Sequence, residues 1–191
     1  MKLRKTKSSL IAKISLTENP ASTNSESSGD YKLMLTTAGD YTVKVEAAGY
    51  ISTIQKIKIF SSPSGTELNL TLLPVEIGTT VNLKSVLFQV STANLLEESF
   101  DELNMVVDMM KGNPKMAIDL AGHTDNRGDK NLNLKLSTDR VNVVKQYIVD
   151  KGIAGNRITG TGYGGSNPLS KGTSEADHKL NRRVEFVVMR Y

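Results

Sequence analysis

The chain has 191 residues, 38% of them hydrophobic and 23% charged, and its 24 basic residues against 20 acidic ones give a net charge of +4. This composition is typical of one globular domain or two small ones; it argues against a disordered chain and contains no apolar run of membrane-spanning length. The small, interspersed positive charge and the 5% aromatic content give little support to a nucleic-acid partner.

The sequence contains no cysteine, which excludes disulfides, thiol catalysis and cysteine-based zinc sites. Its opening segment, residues 1–16, is positively charged but lacks the apolar run of a secretory signal peptide. If the protein works outside the cytoplasm, we therefore expect this chain to be part of a longer one. The cationic residues at the start are expected to be a solvated terminus.

The first half of the chain has the pattern of β-strands. Between residues 10 and 73, apolar side chains alternate with polar ones in short runs that turn-forming residues separate. The predicted strands are 10–16, 31–35, 41–45, 54–59 and 68–72. We predict that residues 1–75 form a small antiparallel β-sandwich.

From about Thr79 the pattern changes to strands that alternate with helices. The apolar spacing predicts strands at 81–88, 116–120, 157–163 and 183–189, and helices at 97–111 and 137–151. The order β-α-β-α-β-β predicts that residues 79–191 place two helices on one face of a mixed sheet, so that the whole chain is α+β. Asn133 and Ser137 are candidate caps of the second helix, and Gly128 permits the turn before it.

Two charged residues lie on either side of the start of that second helix. Arg140 is at the edge of the helix's apolar stripe, where its permanent charge needs a carboxylate or carbonyl in front of it. Asp125, in the loop after the preceding strand, is the nearest acid by sequence. The two could form a structural ion pair, or they could hold a zwitterionic ligand, with its ammonium on Asp125 and its carboxylate on Arg140. Spacing alone favours the ion pair but does not decide between them.

The remaining polar signals predict neither a metal site nor a cofactor. His123 and His178 are far apart and lack metal-ligand spacing, and His123 is expected to hydrogen-bond nearby backbone. The acids and amides at 125–131 lack the ligand series of a calcium loop, and the glycines at 160–165 lack the strand-to-helix context of a phosphate loop. Ser137 has no histidine partner for nucleophilic catalysis.

A Gly/Tyr-rich stretch in the first half carries a family resemblance. GDYKLMLTTAGDYTVKVEAAGYIS, at 29–52, resembles the carboxypeptidase regulatory-like, transthyretin-like modules of bacterial envelope proteins. The resemblance makes 10–16 the second strand of such a module, which leaves the first strand missing. An exposed sheet edge is therefore expected near the N-terminus.

A stronger resemblance covers about residues 79–191. Its motifs occur in order as HTDNRG (123–128), Asn133, LS-x-x-R (136–140), GYGGSNP (162–168) and NRRVEF (181–186). Together they resemble the OmpA-like peptidoglycan-binding domain shared by outer-membrane anchors, the Pal lipoprotein and flagellar stator proteins.

This resemblance implies non-covalent capture of the diaminopimelate residue in the peptidoglycan stem peptide. The implied acid is Asp125 and the implied arginine is Arg140. The full set of implied ligand-binding residues is Asp125, Arg140, Asn133, Thr124, Gln89 and Val90. Many relatives carry Asp or Asn where this chain has Gln89. The implied location is the periplasm or the outer membrane, facing the cell wall.

Two alternatives from other functional classes stay open at this point. A cell-wall hydrolase would need a nucleophile with its base, or a pair of carboxylates, and the sequence offers neither. An interaction scaffold within an envelope secretion complex would use the first half, residues 1–75, to contact other envelope proteins. The resemblance favours a wall binder, and two charge-assisted contacts fit the modest affinity that an anchor needs.

Overall fold

The computed structural model describes residues 4–5, 8–17, 21–35, 37–60 and 67–191, and shows a mixed α+β architecture. The chain divides into two compact units, Met1–Val75 and Glu76–Tyr191. Within the described ranges, no helix combines the length and the apolar character needed to cross a membrane.

The first unit is built from antiparallel strands. Its largest sheet has the order β4-β3-β5-β6, and two further short strands, β1 and β2, pair with each other. The bounds are β1 Arg4–Lys5, β2 Ser8–Ser9, β3 Lys13–Leu16, β4 Ser22–Asn24, β5 Gly39–Glu46 and β6 Thr53–Ile59. Alternate residues of β3 and β5 point into one hydrophobic cluster, where Ile14 and Val45 are fully buried.

Two of the predicted strands in this unit do not form. Residues 31–35 and 68–72 are described by the structure but are not strands. Leu70 and Leu72 are buried in the cluster, and Leu33 and Leu35 pack against it half-buried. An extended segment that buries every second side chain has the alternation of a strand whether or not it joins a hydrogen-bonded ladder, so the prediction was wrong there.

The exposed edge expected from the first resemblance is also wrong. The strand β3 that forms within 10–16 is interior, because β4 pairs with one side of it and β5 with the other. The strand β4 consists of Ser22, Thr23 and Asn24, three polar residues without any apolar alternation. The sequence pattern therefore gave no sign of the strand that covers this edge.

The second unit is a mixed sheet with the order β7-β10-β8-β9 and helices packed on it. β8 and β9 are parallel, and the other pairs are antiparallel. The elements are β7 Thr80–Asn82, α1 Phe100–Gly112, β8 Ala117–Gly122, α2 Lys130–Asp150, β9 Ile158–Gly162, α3 Glu175–Asn181 and β10 Val184–Arg190. The predicted order of strands and main helices is confirmed, with the short α3 in addition.

Glycines on β8 and β9 let α2 lie directly on the sheet. A methyl group on Gly122 would overlap the carbonyl oxygen of Ser137, and one on Gly160 would overlap Val141. One on Gly162 would overlap the backbone nitrogen of Thr138 and the hydroxyl of Ser137. The close approach fixes the first half of α2 above the ends of the two parallel strands, which is where the polar loops emerge.

Two elements of this unit have bounds that differ from the prediction. The strand predicted at 81–88 is limited to β7, because the chain turns after Asn82. The helix predicted at 137–151 begins earlier, at Lys130, because the Asp129 side chain caps it by accepting from the backbone N–H groups of Asn131 and Leu132. The prediction of Asn133 and Ser137 as caps was therefore wrong.

Candidate ligand site

The loop that follows β8 carries a buried acid and is held in place by backbone hydrogen bonds on two sides. The His123 N–H donates to the Arg183 carbonyl at 2.9 Å, and the Thr124 N–H donates to the Gly164 carbonyl at 2.9 Å. Gly165 lies so close that a methyl group there would overlap the Asp125 carbonyl oxygen. The Asp125 loop is thus held between Arg183, just before the start of β10, and the loop after β9.

Asp125 is buried, with 8% of the residue exposed, and its carboxylate is held by two guanidinium groups. Arg127 donates to Oδ2 at 2.9 Å and Arg182 donates to the same oxygen at 2.8 Å, while the Arg127 backbone N–H donates to Oδ1 at 3.2 Å. Burial raises the pKa of Asp125, but the hydrogen bonds from Arg127 and Arg182 outweigh it and lower the pKa to about 2. The side chain is therefore a carboxylate at any physiological pH.

Arg140 is held by contacts that leave its charge uncompensated. Its Nε donates to the Thr92 carbonyl at 3.0 Å, and its guanidinium lies 4.8 Å from the centre of the Phe88 ring. Over the described part of the chain, no carboxylate lies within ion-pair distance of it. Burial lowers the pKa of Arg140, and the positive charge of Arg182 lowers it further, whereas the charge of Asp125 opposes the shift.

Asp125 and Arg140 are therefore not each other's salt-bridge partners. The acid pairs with Arg127 and Arg182, and both of those guanidinium groups also contact Glu175. The charge of Asp125 acts on Arg140 electrostatically, but the two side chains do not form a salt bridge. Within the described ranges, the region thus contains an ionised acid that is paired with two arginines, and a third arginine that has no carboxylate partner.

Thr124 and Asn133 support the Asp125 loop. The Thr124 hydroxyl donates to the Asp125 carbonyl at 2.9 Å, and the Asn133 side-chain amide donates to the Arg127 carbonyl at 2.7 Å. Asn133 therefore fixes the loop from the first turns of α2. Gly128, between them, has a φ of 83°, the left-handed conformation that favours glycine.

Gln89 and Val90 lie in the turn that presents Thr92 to Arg140. The Gln89 N–H donates to the Asn94 carbonyl at 2.9 Å, and the Asn94 side chain donates to Gln89 Oε1 at 3.1 Å. The Gln89 side chain thus closes this turn. Val90, at the tip of this turn, is 90% exposed. Its neighbour Ser91 has a φ of 58°.

His123 does not have the predicted backbone hydrogen bonds. Both of its ring nitrogens are buried without a hydrogen-bond partner, although Nε2 lies 3.3 Å from Glu185 Oε1. The ring stacks on Tyr163 with the centroids 5.4 Å apart. Burial and the charge of Arg183 lower the pKa of His123, and Glu185 opposes them. His123 therefore packs beneath the Asp125 loop, against Tyr163 and beside Glu185.

Comparison with known proteins identifies the family. The profile of the OmpA family matches residues 87–182, which include the turn at Gln89, the Asp125 loop, Arg140 and Arg182. The chain belongs to the OmpA family.

Three similar proteins illustrate what this OmpA-family chain resembles. The peptidoglycan-binding protein ArfA of Mycobacterium tuberculosis is 36% identical over 96 residues, 50% of this chain and 29% of that protein. A MotB-like protein from Desulfovibrio vulgaris is 30% identical, with a TM-score of 0.52 over 59% of this chain and 73% of the other. The cell wall anchor of the T6SS from Pseudomonas aeruginosa is 27% identical, with a TM-score of 0.50 over 59% of this chain and 80% of the other. The match thus spans less than a third of the curated relative's length.

Sequence reasoning missed three residues of this OmpA-family site, namely Arg127, Arg182 and Glu175. Arg127 follows Asp125 by two positions, a spacing at which loop side chains often interact, and this signal was available. Arg182 lies at the C-terminal cap of α3, and only the folded sheet brings it close to Asp125. Glu175 stands in the first turn of α3, a helix whose Ser174–Asp177 capping box was also a readable signal.

No group of three or more histidine, aspartate or glutamate side chains in the described ranges converges as a metal site. The acidic and amide residues that follow β8 are instead used in the loop itself. Asp125 accepts from two arginines, and Asp129 caps α2.

Proposed function

We propose that this chain binds peptidoglycan non-covalently through the diaminopimelate residue of the stem peptide. In this proposal the free ammonium of the ligand contacts Asp125, and a ligand carboxylate contacts Arg140. Thr124, Asn133 and the turn at Gln89 and Val90 form the walls of the site. The role of the chain is to attach an assembly of the cell envelope to the wall.

One observation carries the proposal: Arg140 is desolvated and lacks a carboxylate partner in the described part of the chain. Moving an arginine partly out of water costs free energy that a neutral carbonyl acceptor compensates only in part. Among the described residues its two terminal nitrogens have no hydrogen-bond acceptor, so they can receive a planar anionic fork such as a carboxylate. The ionised Asp125 supplies the opposite charge for the other end of the same ligand.

The family and its named members support the wall as the partner. ArfA is described as peptidoglycan-binding, and the T6SS protein as a cell wall anchor. The match to the OmpA family, at residues 87–182, falls on the second unit of this chain, where Asp125 and Arg140 lie. We therefore place the protein where peptidoglycan is accessible, in the periplasm or at the outer membrane.

The expected affinity is modest. Each charge-assisted hydrogen bond contributes about 1.5–3 kcal/mol net, so two poles with a few neutral contacts give micromolar to millimolar binding. An anchor tolerates this because the wall repeats the same stem peptide many times, and a protein confined beside it rebinds at a high effective concentration.

Titration with soluble muropeptides tests the proposal. We expect binding of a stem peptide that ends in diaminopimelate, and a loss of about 10- to 100-fold in affinity for both Asp125→Ala and Arg140→Ala. Lys135→Gln is the matched control, since Lys135 is an exposed cation on α2 that pairs with Asp139. It should bind as the wild type does.

Two results would count against this function. The first is equal affinity for a peptide with diaminopimelate and one without it; the second is unchanged binding by the Asp125 and Arg140 variants. A turnover assay on purified wall, run on the same samples, separates binding from hydrolysis because only a hydrolase releases new soluble fragments.

For the first unit we propose a carboxypeptidase regulatory-like module that contacts other envelope proteins. Its support is the four-stranded antiparallel sheet with its own hydrophobic cluster and the Gly/Tyr-rich stretch at 29–52. Retention of envelope proteins on immobilised residues 1–75, but not on residues 76–191, is the expected result of a pull-down.

A further inference from the structure

The acidic pole of the proposed site is already occupied by this chain's own cations. Two guanidinium groups, from Arg127 and Arg182, donate to the single oxygen Oδ2 of Asp125. Oδ1 accepts only the Arg127 backbone N–H, at the longer distance of 3.2 Å, from the described residues. An incoming ammonium therefore meets a carboxylate whose charge is shared with two cations.

The same two arginines share a second acid. Arg127 lies 3.3 Å from Glu175 Oε2, and Arg182 lies 2.6 Å from Glu175 Oε1. The four side chains form a closed cluster of two positive and two negative charges, and Arg140 stands beside it as a further positive charge. Adding a ligand ammonium makes three cations share two carboxylates, so the ammonium competes with the two arginines for the charge of Asp125.

Arg127 is the cation that can leave. Its side chain is 56% exposed, against 34% for that of Arg182. Arg182 is also fixed by its position at the C-terminal cap of α3, where its N–H donates to the His178 carbonyl. Arg127 is in a loop next to Gly128, and Glu175 already lies beside its other terminal nitrogen. A small rotation of its side chain transfers it from one acid to the other.

We propose that Arg127 is an internal competitor for the cationic end of the ligand, and that Glu175 holds its guanidinium when the ligand ammonium takes its place on Asp125. This inference rests on the proposed function, since it assumes that a ligand ammonium binds Asp125. It assigns to Arg127 and Glu175 opposite effects on affinity, although neither belongs to the pair of poles that grips the ligand.

The exchange also makes the site selective. A ligand group displaces Arg127 only if it replaces a charge-assisted hydrogen bond with another one. A neutral amide or hydroxyl at the same place would leave the carboxylate bound to the arginine. The competitor therefore discriminates against ligands that lack a free amine, and it does so without a direct contact to them.

Isothermal titration of the full chain with two tripeptides tests this inference. One is L-alanyl-D-glutamyl-diaminopimelate, and the other carries 2-aminopimelate, which has no free amine once it is in peptide linkage. We expect Arg127→Gln to tighten binding of the diaminopimelate peptide by about three- to tenfold, because the competing charge is gone. We expect Glu175→Gln to weaken binding by a similar factor, because both arginines then depend on Asp125 alone.

The control variant and the 2-aminopimelate peptide, whose third residue has no free amine, separate this mechanism from a change in overall charge. Lys135→Gln removes one positive charge from α2 outside the cluster and should leave affinity unchanged. The gain from Arg127→Gln should vanish with the 2-aminopimelate peptide. Equal or weaker binding of the diaminopimelate peptide by Arg127→Gln overturns the inference, while the proposed function stands if Asp125→Ala still weakens binding by about 10- to 100-fold. No binding by the wild type overturns both.

Discussion

Asp125 keeps its negative charge in a buried position because donors surround it. Two guanidinium groups and one backbone N–H outweigh the cost of desolvation, and its folded pKa of about 2 lies below the ordinary value of 3.8. A carboxyl group with a lowered folded pKa stabilises the native state above its unfolded pKa. That contribution is lost as the pH falls through the folded pKa.

This linkage predicts a pH-dependent stability difference for Asp125→Asn. We expect the variant to lose about 1–2 kcal/mol of unfolding free energy near pH 6, after allowance for the solvent exposure of its partner arginines. The difference should shrink as the pH is lowered from about 4 to about 2, where the wild-type carboxylate becomes protonated. Urea denaturation at several pH values measures it, and an equal loss at every pH would point to packing instead.

At the residue scale, sequence reasoning selected Asp125 and Arg140 as the two proposed poles, but it did not predict the side chains that contact Asp125 in the structure. Asp125 and Arg140 could be selected from their motifs and from the position of Arg140 on its helix. The pairing of Asp125 with Arg182 joins residues that are distant in sequence, and only the antiparallel register of β8 and β10 brings their loops together. Spacing along the chain carries no information about such a contact, and it pointed to Arg140 instead.

The helix α2 can lie close to the sheet because β8 and β9 carry glycines, which have no side chain, on the face that contacts it. We expect Gly162→Ala to destabilise the protein by about 1–3 kcal/mol, because its methyl group would overlap α2 at Ser137 and Thr138. Gly112→Ala is the control, since no atom lies within 4 Å of a methyl group at the end of α1. Thermal unfolding of both variants checks this, and equal melting temperatures would contradict the close packing.

At the scale of elements, periodicity identified α1, α2 and the main strands but misjudged some of their bounds. The first turns of α2 contain Leu132, Leu134 and Leu136, whose alternation resembles a strand. Leu132 and Leu134 are in fact exposed, so this part of the helix has no buried stripe to produce a helical period. Its start is set by the Asp129 cap, a local feature that the apolar pattern does not report.

The whole molecule consists of two units, and the proposed ligand-binding residues all belong to the second. We therefore expect a fragment of residues 76–191 to bind the diaminopimelate peptide within about twofold of the affinity of the full chain, since no proposed contact lies outside it. Circular dichroism checks that the fragment is folded, and calorimetry measures its affinity. A folded fragment that fails to bind would show that the first unit contributes to the site.

The placement of Arg140 on α2 has a mechanical consequence. Tension applied through a captured peptide would enter the protein at the middle of a long helix that lies flat on two parallel strands, and at a loop braced through Gly164 and Ser137. Both points of attachment are packed or hydrogen-bonded to the rest of the second unit, so neither can detach separately from it. We therefore expect a pulling force from the envelope to dissociate the peptide before it unfolds the domain. The folded molecule could then bind again.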